Sequence, residues 1–265
     1  MQMMERAHPT FVSVWIGNND VLGAATSSTN AGDTTKITSV ANFQARYNTL
    51  LDSIEHAGPQ GALLIGVANV TRIPYFSRGT TYYAIKAGLV PGAAFPPNFV
   101  VLPNCAPPRG DSVLVPFPYG VPKIDSAGRD TTRTFTLDCS VPQVVVPSEL
   151  VALVTAVTAY NTAISAAAGA HSWAYFDPNP TFDSLALAGA IPPFPFVRNA
   201  AGAINTCAGT PAKTTPPPLP ATPPPFGLMF SCDGIHPSGT THRLIATHLR
   251  NVINTAYSTE IPPIP

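Results

Sequence analysis

Six stretches of the chain carry a clear hydrophobic period, and strand-like and helix-like stretches alternate. Residues 10–16 (TFVSVWI) are a β-rich run that stops at Gly17-Asn18-Asn19-Asp20, a strong turn signal. Residues 41–57 then place Phe43, Tyr47, Leu50, Leu51 and Ile54 at helical spacing, closed by Gly58-Pro59. Residues 62–70 (ALLIGVANV) are apolar throughout, as a parallel strand covered on both faces requires. From Pro147-Ser148-Glu149 onward, Leu150, Leu153, Val154, Val157 and Ile164 mark an amphipathic helix of about five turns. Residues 171–176 (HSWAYF) read as a third strand that ends at Asp177-Pro178. Over 238–257, Leu244, Ile245, Leu249, Val252 and Ile253 form the stripe of a terminal helix. Strands alternating with helices predict an α/β fold with a parallel sheet, whose functional loops lie at the C-terminal ends of the strands.

Two long segments break this order. Residues 74–146 show no sustained period and are dense in proline, which predicts an insertion with at most one short helix near 80–88. Residues 178–231 form a second excursion. Its proline runs at 216–220 and 223–225 predict extended polyproline chain, a spacer or lid. With both insertions included, 1–265 reads as a single domain. Each of two cysteine pairs, Cys105 with Cys139 and Cys207 with Cys232, flanks an irregular Pro-rich stretch, and none of the four has the C-x-x-C spacing of a metal or redox site. Closing both loops would offset their conformational entropy, which favours paired thiols and an exported, secreted or periplasmic protein. The segment 1–9 (MQMMERAHP) lacks the apolar centre of a signal peptide, so the export signal is expected to be absent from this chain.

Charge narrows the partners. Charged residues make up 11% of the chain and the formal net charge is zero, whereas nucleic acid and anionic membrane surfaces call for a basic patch. No uninterrupted apolar run reaches about 18 residues, which argues against a membrane span.

Two short motifs carry chemistry. Gly17-Asn18-Asn19-Asp20 follows a strand, and Asp233-Gly234-Ile235-His236-Pro237-Ser238 precedes the last helix. An aspartate three residues before a histidine can fold back to accept its Nδ1–H. That fixes the tautomer, leaves Nε2 free to act as a base and stabilises the imidazolium that forms. Gly234 permits the tight backbone path. The competing reading makes Asp233 a helix cap, although Ser238 already suits that role. Asn18 and Asn19 both fit a turn. The remaining histidines form no ligand set: His242 and His248 are not spaced as a helical metal pair, and His8, His56 and His171 stand alone.

In this order, one motif near each end of the chain, the pair resembles the SGNH/GDSL-type serine esterases, which have G-x-N-D after a core strand and D-x-x-H near the C-terminus. The resemblance implies a three-layer α/β/α parallel sheet and carboxylic-ester hydrolysis of short- to medium-chain esters. Asp233 would orient His236, His236 would be the general base, and Asn19 would bind the oxyanion, with no cofactor and no metal. It also implies that the helix after Asp177-Pro178 is replaced by a disulfide-bounded loop. The family's nucleophilic serine, in a G-x-S-[LV] turn, should precede residue 10, so the chain reads as N-terminally truncated. Gly110-Asp111-Ser112-Val113 matches that turn by letter. Pro107, Pro108, Pro116 and Pro118 around it, however, argue against the strand and helix that a nucleophile turn needs. Ser112 therefore remains either a chance match or a relocated nucleophile, and Asp233 with His236 could instead activate water. Loss of two strands would expose sheet edges, which predicts a homo-oligomer. Two other functions stay open: a non-catalytic relic that binds a ligand or partner, and a carbohydrate acetyl esterase.

Overall fold

The protein is described by a computed structural model for residues 2–194 and 225–264. In chain order it runs α1 (Gln2–Ala7), β1 (Phe11–Val14), α2 (Asn19–Ala25), α3 (Val40–Ala57), β2 (Gly61–Ile65), β3 (Phe76–Arg78) and α4 (Gly79–Lys86). It continues with β4 (Phe99–Val101), β5 (Leu114–Pro116), α5 (Phe117–Arg129), β6 (Phe135–Leu137), α6 (Pro147–Ala170), β7 (Ala174–Phe176), α7 (Asn179–Leu187) and α8 (Gly239–Tyr257). The fold is mixed α/β, as the alternation predicts.

The main sheet has the order β1-β2-β7, with every pair parallel. Val14 lies opposite Leu64, and Leu64 opposite Tyr175. Because side chains alternate across a strand, each strand feeds two cores. Val14 and Leu64 join Phe43, Leu51 and Ile54 of α3 and Leu153, Val157 and Ile164 of α6. Leu63, Ile65, Ala174 and Phe176 join Phe182 of α7 and Ile245 of α8. All five residues of β2 are buried, which accounts for its continuous apolar run. The run at 62–70 exceeds the strand because residues 66–69 turn across the sheet edge and Val70–Arg72 is a 3₁₀ turn.

The helix ends follow their capping chemistry. Ser39 accepts from the Asn42 amide at the start of α3, and Gly58 ends that helix at φ +65°. Ser238, not Asp233, is the N-cap of α8. Helix α6 begins with Pro147 and with Glu149 Oε2 accepting from the Val146 amide at 2.8 Å. At 24 residues, with mean hydropathy 1.5 over its best window, α6 is long and apolar enough by length and composition to cross a membrane. Counting uninterrupted apolar runs misses this, because scattered Thr, Ser and Asn residues leave the average high. In this structure its inner face, Leu153, Val157, Tyr160 and Ile164, belongs to the core beside β2, while Val151 is 64% exposed.

The segment 74–146 is more ordered than its prolines suggest. Helix α4 lies where one short helix is expected, but α5 and four three-residue strands are additions to that reading. β3 pairs antiparallel with β5, and β4 pairs parallel with β6. Pro116 is the N-cap of α5 and Pro118 lies in its first turn, where a missing N–H costs nothing. The prolines thus start a helix rather than forbid one. Strands of three residues are too short to display a period. This segment has its own core of Tyr82, Phe99, Val115, Ile124 and Leu137 around the buried Cys105–Cys139 disulfide. That pairing is the expected one and is compatible with an oxidising compartment. Its 34-residue separation gives about 3–4 kcal/mol of stabilisation on a chain-entropy model. A Cys105→Ala/Cys139→Ala variant should therefore unfold at clearly lower denaturant, and an unchanged midpoint would remove the disulfide's structural role. Cys232 is also disulfide-bonded. Its expected partner Cys207 and the proline runs at 216–220 and 223–224 lie outside the described residues.

After β7 the expectation of a disulfide-bounded loop is corrected: α7 follows at once, with Pro178 as N-cap and Pro180 in the first turn. The same proline logic explains the miss.

Candidate active site

The C-terminal edge of the main sheet carries the candidate site, and asparagine side chains build it. The loop 66–69 leaves β2 with every amide satisfied. Gly66 N donates to Phe176 O at 2.9 Å. Val67 N donates to Asn161 Oδ1 at 2.6 Å, Ala68 N to Asn18 Oδ1 at 2.8 Å, and Asn69 N to Asn179 Oδ1 at 2.7 Å. Val67 O in turn accepts from the side-chain amides of Asn161 and Asn179. Asp177 Oδ1 holds Asn179 through its backbone and side-chain N–H groups. Side chains from α2's cap, α6 and α7 therefore fix one short loop, at about 1 kcal/mol per bond. None of these residues lies on an apolar stripe, so a reading of hydrophobic period has no means of finding Asn161 or Asn179.

Gly17 turns the chain from β1 into α2 at φ +109°. A Cβ there would stand 2.7 Å from Val67 Cγ2 and 2.9 Å from Phe43 Cε2, so both conformation and space require glycine. The turn places Asn18 and Asn19 in sequence but gives them different work. Asn18 spends its Oδ1 on Ala68 N. Asn19, the first residue of α2, is exposed, and its side chain makes no hydrogen bond among the described residues.

The Asp233 loop is closed on itself. Phe230 and Pro237 form an antiparallel bridge, with Ser231 N donating to His236 O at 2.8 Å. Asp233 Oδ1 accepts from Ile235 N at 2.8 Å, from His236 N at 2.9 Å and from the Ser231 hydroxyl. Its other oxygen, Oδ2, stands 2.6 Å from His236 Nδ1. Gly234 provides the turn at φ +69°, and its carbonyl accepts from Tyr75 N, which ties the loop to the residue before β3. Burial opposes ionisation of Asp233, but the bonds from Ser231, His236 and the backbone amides outweigh it and hold the carboxyl well below the usual range. Asp233 is thus a carboxylate through the neutral and mildly acid range. It holds Nδ1–H, and Nε2 is left to the solvent side, with the ring side chain 73% exposed.

Asn19 and His236 line one cleft of about 420 Å³. Trp15, Leu22, Ile73, Phe182 and Phe230 form its apolar wall, and Asn69, Arg72 and His242 add polar groups. The two motifs from opposite ends of the chain therefore meet, with Asp233 behind His236. Ser112 does not join them. It ends a 3₁₀ turn (Arg109–Ser112) that precedes β5, and it is not among the lining residues. A strand and a helix do follow it, so the prolines do not exclude those elements as expected. The nucleophile position would be the β5–α5 junction, however, and Ser112 is on the wrong side of the strand. No serine, threonine or cysteine lines the cleft among the described residues. Asn69, Arg72 and His242 were not readable as site residues, since each takes its place through tertiary folding.

Compared with known proteins, the chain matches no protein-family model and no curated relative.

Proposed function

We propose that the cleft hydrolyses carboxylic esters, with Asp233 orienting His236, His236 acting as general base and Asn19 donating to the oxyanion. The observation that carries this reading is the convergence of Asn19 and the Asp233–His236 pair on one largely apolar cleft at the C-terminal edge of a parallel sheet. The order of the motifs along the strands supports a likeness to the SGNH/GDSL-type esterases and to their three-layer sheet. The apolar wall suits a short- to medium-chain acyl group or an aryl alcohol.

Among the described residues the cleft supplies a base and an oxyanion donor but no hydroxyl, and the attacking oxygen in this reading is water. His236 Nε2 takes one proton as the water oxygen adds to the ester carbonyl. The carbonyl oxygen becomes an oxyanion and accepts from Asn19 Nδ2. Collapse breaks the acyl–oxygen bond, His236 returns its proton to the leaving alcohol, and acid and alcohol depart. Hydrolysis of p-nitrophenyl acetate by the purified chain is the test. Saturable turnover that depends on His236 is expected, and its absence would leave the cleft a binding site only.

The reading extends to assembly and location. Among the described residues β1 pairs with β2 alone, and Phe11, Val12 and Ser13 are incompletely buried. An edge strand of this kind offers a row of unpaired amides and carbonyls. A homo-oligomer that pairs β1 across a subunit interface is expected, in a secreted or periplasmic setting that keeps the disulfides oxidised. Light scattering at micromolar concentration should give at least twice the 27.7 kDa chain mass. A stable monomer would remove the edge-pairing proposal.

A further inference from the structure

The cleft holds one permanently charged side chain among its described lining residues, Arg72. Among its described lining residues are one arginine, two histidines and three asparagines, and no carboxylate. Asp233 stands behind His236, and Asp183 of α7 stands beside Arg72. Arg72 ends the 3₁₀ turn that Asn69 caps, where Asn69 Oδ1 accepts from the Thr71 amide and hydroxyl. That cap leaves the Asn69 side-chain N–H₂ without a hydrogen bond among the described residues. Arg72 meets Asp183 through Nε at 3.6 Å, and its terminal nitrogens make no hydrogen bond among the described residues. A guanidinium offers five donors in a planar fork, so one loose contact leaves most of them available. Phe182 and Phe230 line the same cleft.

We infer that the cleft selects ligands carrying a second, anionic group, a carboxylate or phosphate seated on Arg72, beside an apolar body packed on Phe182 and Phe230. This deepens the hydrolase reading and rests on it only for the word substrate: the ligands would be esters with an acid group distant from the scissile bond. Arg72 is a donor with no acceptor capacity, and no carboxylate lines the cleft among the described residues to compete with an incoming anion. An anion gains charge-assisted bonds in a cleft with low-dielectric walls. Arg72 is a specificity residue here and takes no part in the reaction.

The test is equilibrium binding by titration calorimetry, which is independent of turnover. Two probes share an apolar body: 4-phenylbutyrate, which carries the anion, and 4-phenylbutanamide, which does not. The wild-type protein is expected to bind the carboxylate about tenfold more tightly than the amide, the ratio a charge-assisted bond pair commonly gives. Arg72→Gln should reduce that preference to within about twofold, and Arg72→Lys should restore part of it by point charge. Arg72 is half exposed, so the variants should keep the wild-type circular dichroism. His236→Ala should retain the preference. A protein with no esterase activity but an Arg72-dependent preference would sink the hydrolase reading and leave this one standing. Equal affinity for both probes, or a preference that survives Arg72→Gln, would overturn it.

Discussion

His236→Ala should cost ester hydrolysis a factor between about 10² and 10⁴, the span of a positioned general base, while the protein stays folded. The two halves of that result come from different atoms. The imidazole supplies the base and is 73% exposed at its side chain, so little core packing goes with it. The loop does not depend on the ring. The amide of residue 236 would still donate to Asp233 Oδ1, its carbonyl would still accept from Ser231 N, and Ile235 N and the Ser231 hydroxyl would keep Asp233 in place. Asp233→Ala is the poorer experiment. It removes the acceptor for all four donors, so lost activity would not separate chemistry from a collapsed loop. Initial rates on p-nitrophenyl acetate, with a thermal melt of the same sample, give both readouts. A variant that keeps most of the wild-type rate would show that His236 is not the base.

What the sequence disclosed and what it withheld divide along physical lines. Helices α3, α6 and α8 and strands β1 and β2 carry long apolar stripes, since each buries a face against the main sheet, and period finds them. Pattern fails where order comes from pairs rather than stripes. The strands β3 to β6 are three residues long, and α5 and α7 open with prolines that serve as starts. The Asp233–His236 contact was legible because it is local, three residues apart and enforced by Gly234. The asparagine ring around residues 66–69 was not: Asn161 reaches across from α6 and Asn179 from α7, with 94 and 110 residues between partners. Such bonds leave no spacing signal. Ser112 shows the reverse error, four letters in the right order on the wrong side of a strand.

Asn19→Ala and Asn18→Ala should fail in different ways, although the two residues are adjacent and chemically identical. Asn19 is exposed at the first turn of α2 and has no hydrogen-bond partner among the described residues, so its loss removes nothing that the folded state uses. If it donates to the developing oxyanion, its effect falls on the transition state. The turnover number should drop by about 10² to 10³ with an unchanged Michaelis constant. Asn18 is half-buried, and its Oδ1 is the only acceptor for the Ala68 amide among the described residues. Removing it leaves that N–H unsatisfied at a cost of about 1–3 kcal/mol and frees the loop that carries Asn69 and Arg72. The Asn18 variant should therefore lose stability, and its Michaelis constant should rise because the cleft wall moves. Steady-state kinetics and urea midpoints on the two variants distinguish the roles. Equal losses in turnover and stability for both would mean that the turn alone matters, and Asn19 would lose its place in the mechanism.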